Sequence, residues 1–438
     1  MQNKHLFSLL AFTMLASCTV GPDYERPQFY PDAEVAKNLK LEQAEASPVG
    51  QDWYKQFNDP ALNRLIERAW AASPNVRIAV HKLREARYGL LRSNVQSFPM
   101  LDINAGYNYD RSSRDIGFSI DRDYYQLGMD ASWELDIWGG NRRAAEASRA
   151  LFEAAGANLD NVRLVMAAEV ANNYISLRTA QEQLRVAREN LKLQQEIYQL
   201  VQQKYDVGLT DFIALNQAQY AVESTKTLIP QLESEIEAYK NAVAVLLGVL
   251  PDDLAGTLDN TADNLVRRRL SYNLKQLYRL RVDVIRNRPD VRLAEQNLIA
   301  QNAAVGEAVA NLYPDVSISG FVGWQSGKIA GLINGDHSTY SYAPALKLPF
   351  FHWNQLMNTV NEQKEVKEQY VLSYQNAVLS AVSELRNSVV SIRQERQRNQ
   401  AYRKSVKNMR NVLKYTLSKY KNGLIDFNAV SYTHLRAH

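Results

Sequence analysis

Tyr205-Asp206-Val207-Gly208-Leu209-Thr210-Asp211-Phe212 occurs twice in this chain. It returns as Tyr420-Lys421-Asn422-Gly423-Leu424-Ile425-Asp426-Phe427, with Tyr, Gly, Leu, Asp and Phe in register at a displacement of 420 − 205 = 215. Each copy ends a long heptad-patterned segment, and glycine is where that helix must stop, because it takes the left-handed conformation without steric cost. In the first copy Thr210 reads as the N-cap of a returning helix, with Asp211 beside its positive end. In the second, Ile425 stands in place of the threonine, so Asp426 has to cap instead. Each copy is the tip of a long antiparallel helical hairpin.

The displacement recurs away from the tips. Ser73-Pro74-Asn75-Val76-Arg77 corresponds to Arg288-Pro289-Asp290-Val291-Arg292, and Phe98-Pro99 to Tyr313-Pro314, both at 215. Asn141 corresponds to Asn354 at 213, so one intervening loop is slightly shorter. A duplication of this length makes two structural halves and not a solenoid of short repeats.

Between the anchors the period changes from helical to two. Leu101 to Asp110 alternates apolar or aromatic residues with polar ones or glycine, and Tyr125 to Asp136 does the same. This is the pattern of strands with one apolar face. Gln126, Asp130, Ser132 and Glu134 fall on the polar face, and Leu127, Met129 and Trp133 on the other. Strands are therefore expected at about 100–110 and 123–136, and again, less cleanly, at 315–325 and 340–350. A helical hairpin is expected over about 141–247 and a long helix over 354–421. The first arm of that hairpin, about 65 residues, would run roughly 100 Å. Leu184, Leu191, Tyr198 and Tyr205 lie seven apart, with Ala187 and Val201 between them, a coiled-coil seam. Val406, Leu413 and Tyr420 repeat it.

Near the N-terminus, Lys4 precedes an apolar run that closes on Leu15-Ala16-Ser17-Cys18, too short for a spanning helix and suited to a secretory signal over 1–17. Leu-Ala-Ser-Cys resembles the bacterial lipobox, which makes Cys18 the expected lipidated residue. Thr19, and not Asp, follows it, which points to the outer membrane. Cys18 is the single cysteine, so no disulfide framework exists. The 438 residues carry a formal charge of only +4, too little to argue for nucleic acid. No apolar run reaches the length of a spanning helix, so a membrane crossing has to be made by strands. Four strands cannot close a barrel by themselves, and an open edge is not tolerated in lipid. Other copies of the chain must complete the sheet, unless it is a small soluble sheet with one wet face.

No catalytic constellation is present: the histidines are scattered without cysteine partners, which leaves no zinc site. Neither a phosphate loop nor a nucleophile elbow occurs. Neither an enzyme nor a cofactor or metal protein is expected.

These features resemble the TolC-like outer-membrane efflux channel family, in its lipoprotein branch serving resistance-nodulation-division pumps. The resemblance is carried by Cys18 to Tyr24, by Trp53, Phe57, Asp59-Pro60 and Leu62, by Arg288 to Arg292 with Glu295, and by the two tips. It implies a mainly α-helical chain whose four strands close as a trimeric, twelve-stranded barrel on a helical tunnel. It implies tips, at Tyr205, Gly208, Leu209, Thr210, Asp211, Tyr420, Gly423, Leu424 and Asp426, that meet a periplasmic adaptor joined to an inner-membrane pump. The expected activity is passive export of drugs or other small molecules, with a polypeptide-secreting conduit as the alternative. The chain then divides into a lipidated extended segment at 18–57, a first repeat at 58–250, a linker at 251–285 and a second repeat at 286–438. After Val430 the sequence departs from the first repeat, so the second hairpin is expected to be incomplete and residues 431–438 unrelated to it.

Overall fold

The computed structural model describes residues 19–30, 52–111, 115, 121–254, 258–259, 266, 283–422 and 424–425. Cys18, Gly423, Asp426 and the stretch 431–438 lie outside them. Two compact units are drawn from the chain: one from residues 1–31, 79–159 and 286–379, the other from 32–78, 160–285 and 380–438.

The elements in order are α1 (Pro60–Ala72), α2 (Pro74–Val95), β1 (Met100–Arg111), β2 (Asp121–Glu134), α3 (Gly140–Asp206), α4 (Phe212–Leu247), α5 (Pro289–Ala310), β3 (Asp315–Ser326), β4 (Ser338–Lys347) and α6 (Trp353–Lys421), with short 3-10 segments and a single helical turn at Asp283–Arg286 between them. The duplication is visible in these bounds. α5 begins and ends at the displacement of 215 from α2, and β3 does so from β1.

In the first unit the four strands form one antiparallel sheet in the order β1-β2-β3-β4, which leaves β1 and β4 as its edges. At the foot of the sheet Asp136 folds back onto the start of α3. Its carboxylate accepts from the amides of Asn141 and Arg142, at 3.0 and 3.1 Å, and pairs with the Arg142 guanidinium. Free amides at a helix start make this a favourable place for a negative charge. Trp138 stacks on Tyr313, ring centroids 4.6 Å apart, and donates to the Pro314 carbonyl oxygen.

Residues 19–30 run across these helices as a strap. Asn302 donates to the Pro22 carbonyl, and Arg143, its side chain 4% exposed, pairs with Asp23 and Glu146. Tyr24 and Arg26 both donate to Glu295, which is buried on α5. Burial, reinforced by the Glu295 charge, pushes the Tyr24 phenol upward. The strap and α5 thus owe their contact to two motifs far apart in sequence. Removing Glu295 would take from the half-buried Tyr24 hydroxyl and from the solvent-exposed Arg26 guanidinium the acceptor they share.

The second unit contains α1, α4 and most of α3. Asp59 caps α1, accepting from the Ala61 and Leu62 amides, while Pro60 occupies the first turn, where no amide is needed. Leu62, Leu65, Ile66 and Ala69, one face of α1, are buried. Tyr54 meets Trp70 edge to face at 5.5 Å. Along α3 the heptad positions Ala187 and Val201 are buried and Leu184, Leu191 and Tyr198 half-buried. The coiled-coil period therefore describes a packed seam here.

Candidate functional site: a two-faced sheet and two helical tips

The sheet register sorts side chains by face. Residues directly opposite one another in adjacent strands share a face. Gln126 is paired with Gly106 and Gln325, Asp130 with Asp102 and Phe321, Ser132 with Ser319, and Glu134 with Ser317. The four polar positions singled out from sequence therefore stand on one face. Gln325 donates to Gln126 at 3.2 Å, and Asn104 donates to Asp130. On the opposite face Leu127 is paired with Ala105 and Trp324, Met129 with Ile103 and Val322, and Trp133 with Ile318. Tyr340 and Tyr342 extend that face across β4. Ile103, Tyr340 and Tyr342 are each more than three-quarters exposed. A continuous apolar face left this open marks a surface made for an apolar surrounding.

Phe321 breaks the pattern of the polar face in mid-sheet, as Met100, opposite Ser132, does at the start of β1. Phe321 lies in the row of serines and glutamines, and its ring occupies the space above Gly128 and Gly323, which face each other across β2 and β3. Sequence reasoning misses it, because the alternation in β3 reads less cleanly than that in β2. The signal available was a glycine on the polar face of each strand.

At the first tip, Gly208 has φ +75° and nothing within 4 Å of where a Cβ would stand. The Leu209 amide donates back to the Lys204 carbonyl at 2.7 Å, and the Leu424 amide to the Lys419 carbonyl at 2.9 Å, the same bond one repeat later. This is the six-to-one bond that closes a helix ending in a left-handed residue. The cap differs from the sequence expectation. Asp211, and not Thr210, is the N-cap of α4: its backbone is extended and its carboxylate accepts from the Ala214 amide at 2.8 Å. Both residue types can cap, but the turn after Gly208 needs two more residues before the helix can begin. Thr210 is left within the turn, half-buried.

The other tip residues separate into two groups. Leu209 and Leu424 are 74% and 70% exposed, and Asp211 is exposed. Tyr420 is not offered outward. It is 4% exposed, in a cluster with Val201, Ala214, Leu215 and Ala218, and burial pushes its phenol upward. Lys204, which the sequence reading passes over, holds its ammonium 4.1 Å from the centre of the Tyr420 ring. Among the described residues no group of His, Cys, Asp and Glu could hold a metal ion, and no helix is long and apolar enough to cross a membrane.

A sheet with one apolar and one polar face, continuous in sequence with helices of 67 and 69 residues that end in paired tips, defines a channel protein of the barrel-and-helix kind. The chain belongs to the outer membrane efflux protein family, which matches residues 65–249 and 280–433. It is similar to the probable outer membrane lipoprotein SilC of Salmonella typhimurium, 27% identical over 98% of this chain and 90% of that protein. It is also similar to the toluene efflux pump outer membrane protein TtgF of Pseudomonas putida, 26% identical over 97% of this chain and 89% of that protein. The solved structure of the outer-membrane channel OprN matches with a TM-score of 0.83 at 29% identity, covering 96% of this chain and 93% of that one. The chain is thus an outer-membrane channel component of an efflux system.

Proposed function

We propose that three copies of this chain close a twelve-stranded barrel in the outer membrane and serve as the passive conduit of a tripartite efflux system. A periplasmic adaptor and an inner-membrane pump of the resistance-nodulation-division type would deliver drugs or other small molecules to it. The observation that carries this reading is the open, two-faced sheet. Its edges β1 and β4 carry no further strand among the described residues, and its apolar face is exposed. Unpaired strand edges are not tolerated in hydrocarbon, so the edges of neighbouring copies have to pair. Relatives named as pump components favour small molecules over polypeptides as cargo.

In this reading Gln126, Asp130, Ser132 and Glu134 line the lumen, and Leu127, Met129 and Trp133 face lipid. Cysteines placed singly from Gln126 to Glu134 should react with a membrane-impermeant thiol reagent at every second position. Labelling without a period of two would refute the assignment. Cys18 would carry the lipid anchor, in keeping with the lipoprotein name of SilC. A lipid-modified mass at a mature N-terminus beginning with Cys18 is expected, and an unmodified start elsewhere would end that claim.

The adaptor would meet the tips at Gly208, Leu209, Thr210 and Asp211 and at their counterparts Gly423, Leu424 and Asp426. Tyr205 and Tyr420 would shape the tips from the seams behind them. Gly208→Asp tests this. The space around Gly208 is open, so the change costs only the left-handed backbone strain of about 1–2 kcal/mol. The variant should keep its barrel and trimer but lose co-purification with the adaptor, with drug susceptibility rising toward that of a strain lacking the channel. Retention of both adaptor binding and resistance would reduce the tips to turns.

A further inference from the structure

The first hairpin seats the second helix at its tip by a specific contact. Lys204 Nζ donates to the Tyr420 carbonyl oxygen at 3.1 Å while its ammonium lies against the Tyr420 ring. An ammonium over an aromatic face is attracted by the ring quadrupole, the more so when the ring is buried. Val201 on α3 and Ala214, Leu215 and Ala218 on α4 form the rest of the seat.

The duplication supplies a second set of the same parts. Lys204 corresponds to Lys419 and Tyr205 to Tyr420, both at the displacement that relates the two halves. Ala214-Leu215 corresponds to Ala429-Val430, outside the described residues. The local backbone corresponds as well, since the bond from Leu209 to Lys204 recurs from Leu424 to Lys419. Yet the second lysine and the second tyrosine are not seated in this way. Tyr205 is 37% exposed where Tyr420 is 4%, and the Lys419 side chain is exposed. The backbone bond that closes each helix does not account for this difference, because it recurs in both halves. The leucines Leu209 and Leu424, by contrast, are exposed alike, as residues outside the seam between hairpins should be.

The Lys204–Tyr420 contact joins two different surfaces, a lysine side and a tyrosine side. Within one chain the contact is made once, by Lys204 with Tyr420, which leaves the Lys419 side of α6 and the Tyr205 side of α3 without it. Head-to-tail contacts of this kind continue from copy to copy until a ring closes. We propose that Lys419 of one subunit covers the ring of Tyr205 of the partner subunit and donates to that residue's carbonyl oxygen. The tips of the assembly would then be joined by alternating contacts, Lys204–Tyr420 within a chain and Lys419–Tyr205 between chains. This rests on the trimer proposed above, and it names a contact that holds adjoining chains together at the tips.

A short bismaleimide applied to Tyr205→Cys/Lys419→Cys protein in outer-membrane preparations tests the pair. A flexible linker is used because a lysine reaching a ring spans more than a disulfide bridges. Chains should link to one another, giving dimer and trimer bands on denaturing gels. The corresponding Lys204→Cys/Tyr420→Cys protein should consume its thiols and stay at monomer mass. Each single-cysteine variant sets the background from Cys18. If native mass measurement finds trimers but the first pair links no chains, the contact is wrong and the trimer stands. If no trimer is found, both fail. A second readout does not depend on introduced cysteines. Tyr205→Ala and Lys419→Met, singly and together, should each speed dissociation of the trimer in detergent, and the double variant should add little to either. Strictly additive effects would overturn the pairing.

Discussion

Gly323→Val is expected to abolish the barrel. Gly323 faces Gly128 across β2 and β3, and a Cβ at Gly323 would overlap the Leu127 carbonyl oxygen and stand 2.5 Å from the Gly128 Cα. Both are backbone atoms, so no side-chain rotation relieves the overlap; the two strands must part. The Phe321 ring, 2.8 Å from the same point, closes the remaining direction. Overpacking in a fixed core costs about 1–3 kcal/mol where neighbours can yield. Here the yielding element is the β2–β3 ladder, and each broken backbone group that water from the polar face does not reach costs several kcal/mol in hydrocarbon. The variant should give no heat-modifiable trimer band on gels and little protein in the outer membrane. Phe321→Ala should not rescue it, because the Leu127 carbonyl remains. A normal trimer from Gly323→Val would mean that this register is not the one the membrane protein uses.

Asp59→Ala should be among the most destabilising single changes in the second unit. One oxygen of the buried Asp59 carboxylate caps α1, and the other accepts from the Tyr174 hydroxyl at 3.0 Å. Loss of an N-cap costs about 0.5–2 kcal/mol. The hydroxyl of the fully buried Tyr174 would also lose the acceptor of its hydrogen while keeping Arg178 at its oxygen, at about 1–3 kcal/mol. Together these predict a loss of roughly 2–5 kcal/mol, read as a lower midpoint for the thermal loss of helical signal in detergent. Tyr174→Phe in the same protein removes that hydroxyl. The double variant should therefore be less destabilised than the sum of the two single changes. A strictly additive double variant, or an unchanged midpoint for Asp59→Ala, would show that this buried carboxylate carries neither role.

Much of this architecture is written locally. The alternation in Leu101 to Asp110 and in Tyr125 to Asp136 marks strands because side chains along a strand point to opposite faces in turn. The seven-residue spacing from Leu184 to Tyr205 marks a long packed helix for a similar reason, since a helical stripe returns about every three and a half residues. Gly208 ends that helix because few other residues take its conformation. The duplication is legible because both halves repeat these local signals at one displacement, and the family resemblance rests on the same residues.

What the tertiary structure alone decides are meetings between distant residues, to which no local period refers. The pairing of β2 with β3 joins the two halves of the duplication, and it places Phe321 over two glycines on the polar face. Tyr24 meets Glu295 across a long separation in sequence. The choice of Asp211 over Thr210 as the cap depended on how many residues the turn consumes, since either side chain could serve. Tyr205 and Tyr420 look alike in sequence, yet Tyr420 is seated under Lys204 while Tyr205 lies against Phe212 and stays 37% exposed. A sequence repeat makes two sites equal, and burial is a property of what packs against each of them, which the repeat does not contain.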